Sequence, residues 1–132
     1  MSDQLLIIED NPQNFYMMKF LLEKSGFTII GAENGREGVA AALREKPKAI
    51  LLDIQLPEMD GYAVAEELKS RPELARIPII AVTSYAMMGD RERILAAGAT
   101  GYIEKPINPE SFVDQIAQFL PGNADDSKER HP

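Results

Sequence analysis

Asp53 closes the apolar run Ala49-Ile50-Leu51-Leu52, and Glu9-Asp10 closes Gln4-Leu5-Leu6-Ile7-Ile8. Thr83 ends a third run that starts at Pro78, and Lys105 follows a fourth, Thr100 to Glu104. Brought together, the three carboxylates would repel and raise one another's pKa, so a cation has to balance them. Carboxylate oxygens suit a hard divalent ion, Mg²⁺, which shares its shell readily with phosphate oxygens. A hydroxyl at Thr83 and an ammonium at Lys105 are donors for phosphoryl oxygens. Asp53 is then placed as a nucleophile, as carboxylates are in aspartyl-phosphate chemistry. Each feature alone has a plainer reading. Acidic pairs favour helix N-termini, Thr is a β-branched strand residue, exposed Lys is commonly solvated, and Asp begins turns. What sets this group apart is that every member falls at the end of an apolar run.

Those runs must be the strands that position the chemistry. Ala49 to Leu52 has no polar break, as expected of a strand buried on both faces in a parallel sheet. The strands read Gln4–Ile8, Phe27–Ala32, Lys48–Asp53, Pro78–Thr83 and Thr100–Glu104. Helices alternate with them. Asn11-Pro12 opens the first, carried by Phe15, Met18, Leu21 and Leu22 and ended by Gly26. Asn34-Gly35 opens the second, to about Lys46, with Val39 and Leu43 inward. The third spans Tyr62 to Ser70 with Val64 and Leu68 inward, and the fourth Gly89 to Ala97. The last opens at Asn108-Pro109-Glu110 and carries Phe112, Val113, Ile116, Phe119 and Leu120. Five strands alternating with five helices imply an α/β fold, a parallel sheet with right-handed crossovers and helices on both faces. With the flavodoxin-like strand order 2-1-3-4-5, a (βα)5 three-layer sandwich, the polar strand ends share one crevice.

The 132 residues fit one domain, 1–121, followed by a polar tail, 122–132, expected to be disordered. A net charge of −7 argues against a nucleic-acid partner. There is no cysteine, and the one histidine, His131, lies in the tail, which removes disulfide, thiolate and structured-histidine chemistry. No apolar run approaches the ~20 residues of a membrane helix, and no signal peptide is visible, so a cytoplasmic protein without membrane attachment is expected.

The pieces Leu6-Ile7-Ile8-Glu9-Asp10-Asn11, Leu51-Leu52-Asp53-Ile54-Gln55-Leu56-Pro57-Glu58-Met59-Asp60-Gly61, Ile79-Ile80-Ala81-Val82-Thr83-Ser84 and Gly101-Tyr102-Ile103-Glu104-Lys105-Pro106 together resemble a bacterial two-component response-regulator receiver domain of the CheY-like superfamily. The likeness covers about residues 4–120. The wording around Asp53 and the stretch Ala86-Met87-Met88-Gly89-Asp90 is similar to stand-alone cell-cycle receivers of the DivK type. The resemblance implies that Asp53 accepts a phosphoryl group from a histidine kinase or histidine phosphotransfer protein. It implies Mg²⁺ held by Asp10, Asp53 and the backbone carbonyl of Gln55, with Glu9 acting through water. Lys105 and Thr83 would bind the phosphoryl oxygens. Thr83 and Tyr102 would form the switch, with output to a downstream target through the fourth helix, fifth strand and last helix. Met87 and Met88 would add adaptable thioethers to that surface. It also implies a cis Lys105-Pro106 bond, slow self-phosphorylation and self-dephosphorylation rather than ordinary enzymatic turnover, and a monomer or a weak phosphorylation-dependent dimer.

Three other readings exist. A non-phosphorylated pseudo-receiver used only for protein contacts should have lost part of the acidic or Lys/Thr set, and this chain retains all of it. A phosphatase of the haloacid dehalogenase class also uses a strand-end Asp, Mg²⁺, Thr and Lys, but it needs a second Asp two residues on, and Gln55 cannot titrate. A receiver excised from a hybrid histidine kinase would carry the same residues; the Met1 start and short polar tail favour a free-standing protein.

Overall fold

The structure, a computed structural model, describes residues 3–55, 60–84 and 88–120, with the side chains of Met88 and Gly89 left aside. The expected tail, together with Tyr85 and Met87, lies outside the described residues. The strands are β1 (Gln4–Ile8), β2 (Thr28–Ala32), β3 (Ala49–Asp53), β4 (Ile79–Thr83) and β5 (Gly101–Glu104). The helices are α1 (Pro12–Lys24), α2 (Gly35–Glu45), α3 (Gly61–Ser70), α4 (Met88–Ala96) and α5 (Phe112–Phe119). All pairings are parallel and the order is β2-β1-β3-β4-β5, as expected.

The pleat explains the layers, because successive strand residues face opposite sides of the sheet. Leu6, Ile8, Ile50, Leu52, Ile79 and Ala81 pack against Val39, Ala42, Val64, Leu68 and Ile94, which places α2, α3 and α4 on one face. Leu5, Ile7, Leu51, Ile80, Val82 and Ile103 pack against Met18, Leu22, Phe112 and Ile116, which places α1 and α5 on the other. Every residue of β3 and β4 is buried, as the unbroken apolar runs require.

Local signals set the helix starts. The Asn11 side chain accepts a hydrogen bond from the Asn14 N–H at 2.9 Å, and Asn34 accepts one from the Glu37 N–H at 2.9 Å. Asp60 does the same for both Tyr62 and Ala63, at 2.7 and 3.1 Å. The last helix departs from expectation. Asn108 Oδ1 accepts from the Glu110 N–H at 2.9 Å, closing a separate turn, and the α-helix itself begins at Phe112. An Asn side chain that binds backbone two residues on stabilises a turn in place of a helix. The Lys105–Pro106 peptide is cis, as expected.

Candidate functional site

Parallel pairing brings the carboxyl ends of β1, β3, β4 and β5 to one edge. Ile8 is level with Leu52 and Asp53 with Val82, so Glu9, Asp53 and Thr83 emerge side by side. Glu9 and Asp53 are each only 3% exposed and Thr83 1%, whereas the adjoining Asp10 is exposed. Glu9 and Asp10 differ because neighbouring residues leaving a strand point to opposite sides. One carboxylate oxygen from each of Glu9, Asp10 and Asp53 lies within 4.8 Å of the others.

Lys105 reaches this cluster from β5. Its Nζ is 3.4 Å from Asp53 Oδ1 and 3.5 Å from Glu9 Oε1. The Lys105 N–H donates to the Thr83 carbonyl at 2.8 Å, which fixes the start of the reach. Two main-chain donors hold the carboxylates: Asn11 N–H to Glu9 Oε2 at 3.1 Å, and Gln55 N–H to Asp53 Oδ1 at 3.0 Å. Among the described groups Glu9 Oε1 is a buried acceptor with no hydrogen bond. Burial first, and then the negative charge of Asp53, push the Glu9 carboxyl up to about 7, against the weaker opposing pull of the Asn11 N–H and Lys105.

One lysine facing two buried carboxylates, with a third at the rim, leaves negative charge in excess. The donors are all oxygen, which suits Mg²⁺ better than a softer metal. Glu9 Oε1 faces Lys105 but accepts no hydrogen bond among the described groups, so it is an acceptor with capacity to spare, and a divalent ion would relieve the cost that burial first, and Asp53 second, place on its charged form. The residues present therefore fit such an ion.

Of the residues expected from sequence, Glu9, Asp10, Asp53 and Lys105 converge, and Thr83 stands buried on the strand beside Asp53. Gln55 contributes its N–H to Asp53. Tyr102 lies away from the cluster. It is half-buried on β5, level with Ala81, and the Arg91 guanidinium sits 5.6 Å from its ring centroid. Sequence reasoning missed three participants: the Asn11 N–H on Glu9, Arg91 over Tyr102, and Arg93 over Tyr62 at 3.9 Å. The first was readable, because an Asn opening a helix presents its N–H to the preceding turn. The arginine contacts join residues of different elements and leave no periodic trace.

Residues 5–117 match the response regulator receiver domain family. The polar-differentiation response regulator DivK of Brucella anthropi is 43% identical over 120 residues, spanning 91% of this chain and 98% of that protein. The DivK of Brucella ovis is 42% identical over the same shares. Among solved structures, the Vibrio cholerae chemotaxis protein CheY4 superposes with a TM-score of 0.87 at 25% identity, covering 91% of this chain and 100% of that one. The receiver domain of the Pseudomonas aeruginosa sensor histidine kinase PA1611, solved with a magnesium ion coordinated in its active-site cleft, gives 0.83 at 33% identity over 90% and 98%. Over most of its length the chain thus matches, in sequence and in fold, a family to which it plainly belongs: the response regulator receiver domains of two-component signalling.

Proposed function

We propose that the protein is a single-domain response regulator in which Asp53 accepts a phosphoryl group from a histidine kinase or histidine phosphotransfer protein. Receiver domains as a family accept phosphoryl groups and meet kinases and effectors, and they are not enzymes with multiple turnover on a separate substrate. The observation that carries the reading here is the buried Glu9–Asp53 pair with the half-buried Lys105 upon it, a candidate nucleophile and a cation in one crevice. The single-domain reading rests on DivK relatives that this chain spans over 98% of their length.

In this reading Asp10, Asp53 and the Gln55 carbonyl would hold Mg²⁺, with Glu9 assisting through water. When bound, Mg²⁺ offsets the carboxylate charge so that an anionic phosphoryl group can approach. An Asp53 carboxylate oxygen forms the new O–P bond. The donor's N–P bond breaks, and its electron pair returns to the imidazole nitrogen. Lys105 turns from the carboxylates to a phosphoryl oxygen, a charge-assisted contact, and the Thr83 hydroxyl takes another. Water later cleaves the same acyl phosphate slowly. Displacement of Thr83 and the ring of Tyr102 carries the signal to a partner protein at the α4–β5–α5 face. A cytoplasmic location belongs to this proposal and rests on the receiver role; separately, among the described residues no helix is long and apolar enough to cross a membrane.

Intact mass after incubation with a small phosphoryl donor tests this. The wild type gains one phosphoryl mass with Mg²⁺ and none with chelator, and Asp53→Asn gains none. Undiminished labelling of Asp53→Asn, or labelling that ignores chelator, refutes the proposal.

A further inference from the structure

Among the described side chains of helix α4 only Ile94 is buried, and Leu95 is 49% exposed. Two arginines flank that single anchor. Arg91 and Arg93 are two residues apart, so they project about 200° from one another around the helix, with Ile94 on the inward arc between them. Arg91 meets the ring of Tyr102 on β5 at 5.6 Å, and Arg93 meets the ring of Tyr62 on α3 at 3.9 Å. Both distances lie inside the range of a cation–π attraction. The helix is braced from both sides.

The two braces end on different ground. Tyr102 is the ring that has to move in the proposed switch. Tyr62 is fixed: its N–H donates to Asp60 Oδ1 at 2.7 Å, and the preceding Gly61 N–H donates to the Ile54 carbonyl at 3.0 Å. Ile54 directly follows Asp53. The Tyr62 end of the contact is therefore tied to the segment that carries the nucleophile, while its Arg93 end rides on α4, where Ile94 alone is buried among the described side chains. In this arrangement Lys105 is closed onto Asp53 and Glu9, the pairing it must leave to hold a phosphoryl oxygen. The α4 position seen here accompanies that closed pairing.

We propose that Arg93 on Tyr62 is a strut that holds α4 in the position belonging to the closed Lys105 pairing, and so restrains activation. The proposal rests on the receiver reading above. Arg93 is a positioning residue and touches neither nucleophile nor phosphoryl group. Because coupling between sites is reciprocal, a contact that favours one position of α4 must weaken whatever ligand favours the other. Removing it should raise affinity for a phosphoryl mimic without adding any contact to that mimic.

The test uses the full chain with Mg²⁺ and beryllium fluoride as the phosphoryl mimic, with amide chemical shifts as the readout. Arg93→Ala and Tyr62→Leu should each tighten beryllium fluoride binding about two- to fivefold, the range of one exposed cation–π contact. The double variant should do no more than either single one, since both cut the same contact. Before any mimic is added, amides of residues 90–96 in Arg93→Ala should already lie part of the way toward their positions in the mimic-bound wild type. Arg93→Lys should restore most of the wild-type affinity, and Arg93→Gln serves the same test if the alanine variant fails to fold. Unchanged or weaker binding in folded variants overturns the strut, as do additive single effects. A merely structural contact would lower the unfolding temperature and leave affinity where it was. If the wild type itself takes no beryllium fluoride at Asp53, the receiver reading fails and the strut falls with it.

Discussion

Helices α3 and α4 follow neighbouring strands and pack on the same face of the sheet, yet they are held by different means. α3 buries Gly61, Val64, Ala65 and Leu68, and its first turn is capped by Asp60 through two hydrogen bonds. α4 buries Ile94 alone among its described side chains and leans on two arginine–tyrosine contacts. Apolar burial and close packing are costly to undo, whereas an exposed cation–π contact is worth only about 0.5–1 kcal/mol. In its described side chains, then, the helix after β3 is held by burial and the helix after β4 by exposed contacts. That contrast suits the proposed function, in which Asp53 stays in place while α4 shifts.

The comparison breaks hardest at Gly61. A Cβ there would stand 2.4 Å from the Ile54 Cα and 2.8 Å from the Asp53 carbonyl, both backbone atoms that cannot swing aside. Gly61→Ala should cost about 3 kcal/mol, the upper end of ordinary overpacking. It should also reduce phosphoryl labelling, because the displaced backbone is that of the nucleophile. Urea unfolding together with intact mass measures both. A stable variant that labels normally would mean that α3 is free to slide.

The carboxylate end gives the next effect. Glu9 titrates near 7 in the folded protein against an ordinary value of 4.5. Between those values the folded chain binds more protons than the unfolded one, so stability falls as pH rises. Glu9 alone contributes a slope of at most about 1.4 kcal/mol per pH unit, lost as pH passes through the folded value. Denaturation with chelator present should show Glu9→Gln removing this slope and stabilising the protein at alkaline pH. Mg²⁺ should recover the wild type there, since the ion binds the deprotonated set and spares the unfolded chain. Equal slopes in both proteins would contradict the burial of Glu9.

Much of this was legible in the chain and some was not, for definable reasons. Ala49 to Leu52, an unbroken apolar run, suited a strand buried on both faces of a parallel sheet, and that reading put Asp53 at the sheet edge. The order 2-1-3-4-5 came through resemblance and through the need to gather Glu9, Asp53 and Thr83. Composition could not say that Glu9 would be buried and Asp10 exposed, because an acidic pair at a strand end carries no mark of which member turns inward. The start of α5 was misplaced because Asn108-Pro109-Glu110 carries helix-opening residue types, yet the Asn108 side chain spends itself on a local turn. Arg93 over Tyr62 could not be read at all. It joins residues on separate helices, and nothing in the spacing of either helix reveals the other.

Smaller effects sharpen the contrast. Asp60→Ala should lose about 1 kcal/mol, as removal of an N-cap acceptor does, and should fray the first turn of α3 where Tyr62 sits. If Arg93 depends on that turn, hydrogen exchange of α4 amides should quicken along with those at the start of α3. Quickening confined to α3 would separate the two helices.

The smallest expected effect concerns Leu95, four residues after Arg91 and so on the same side of α4. It is 49% exposed, so truncation removes contacts that are already half made with water. Alanine also has the better helix propensity, which offsets part of the loss. Leu95→Ala should therefore change unfolding free energy by less than about 0.5 kcal/mol. Its neighbour Ile94 is buried, and losing a single methylene there, Ile94→Val, should cost about 0.5–1.5 kcal/mol. Leu95 reaches neither Tyr62 nor the carboxylates in any described contact, so Leu95→Ala should also leave beryllium fluoride affinity unchanged. A cost of 2 kcal/mol or more at Leu95 would show that α4 is anchored by apolar packing after all. Arg93 would then be an ornament on a fixed helix, and the difference between α3 and α4 would lose its meaning.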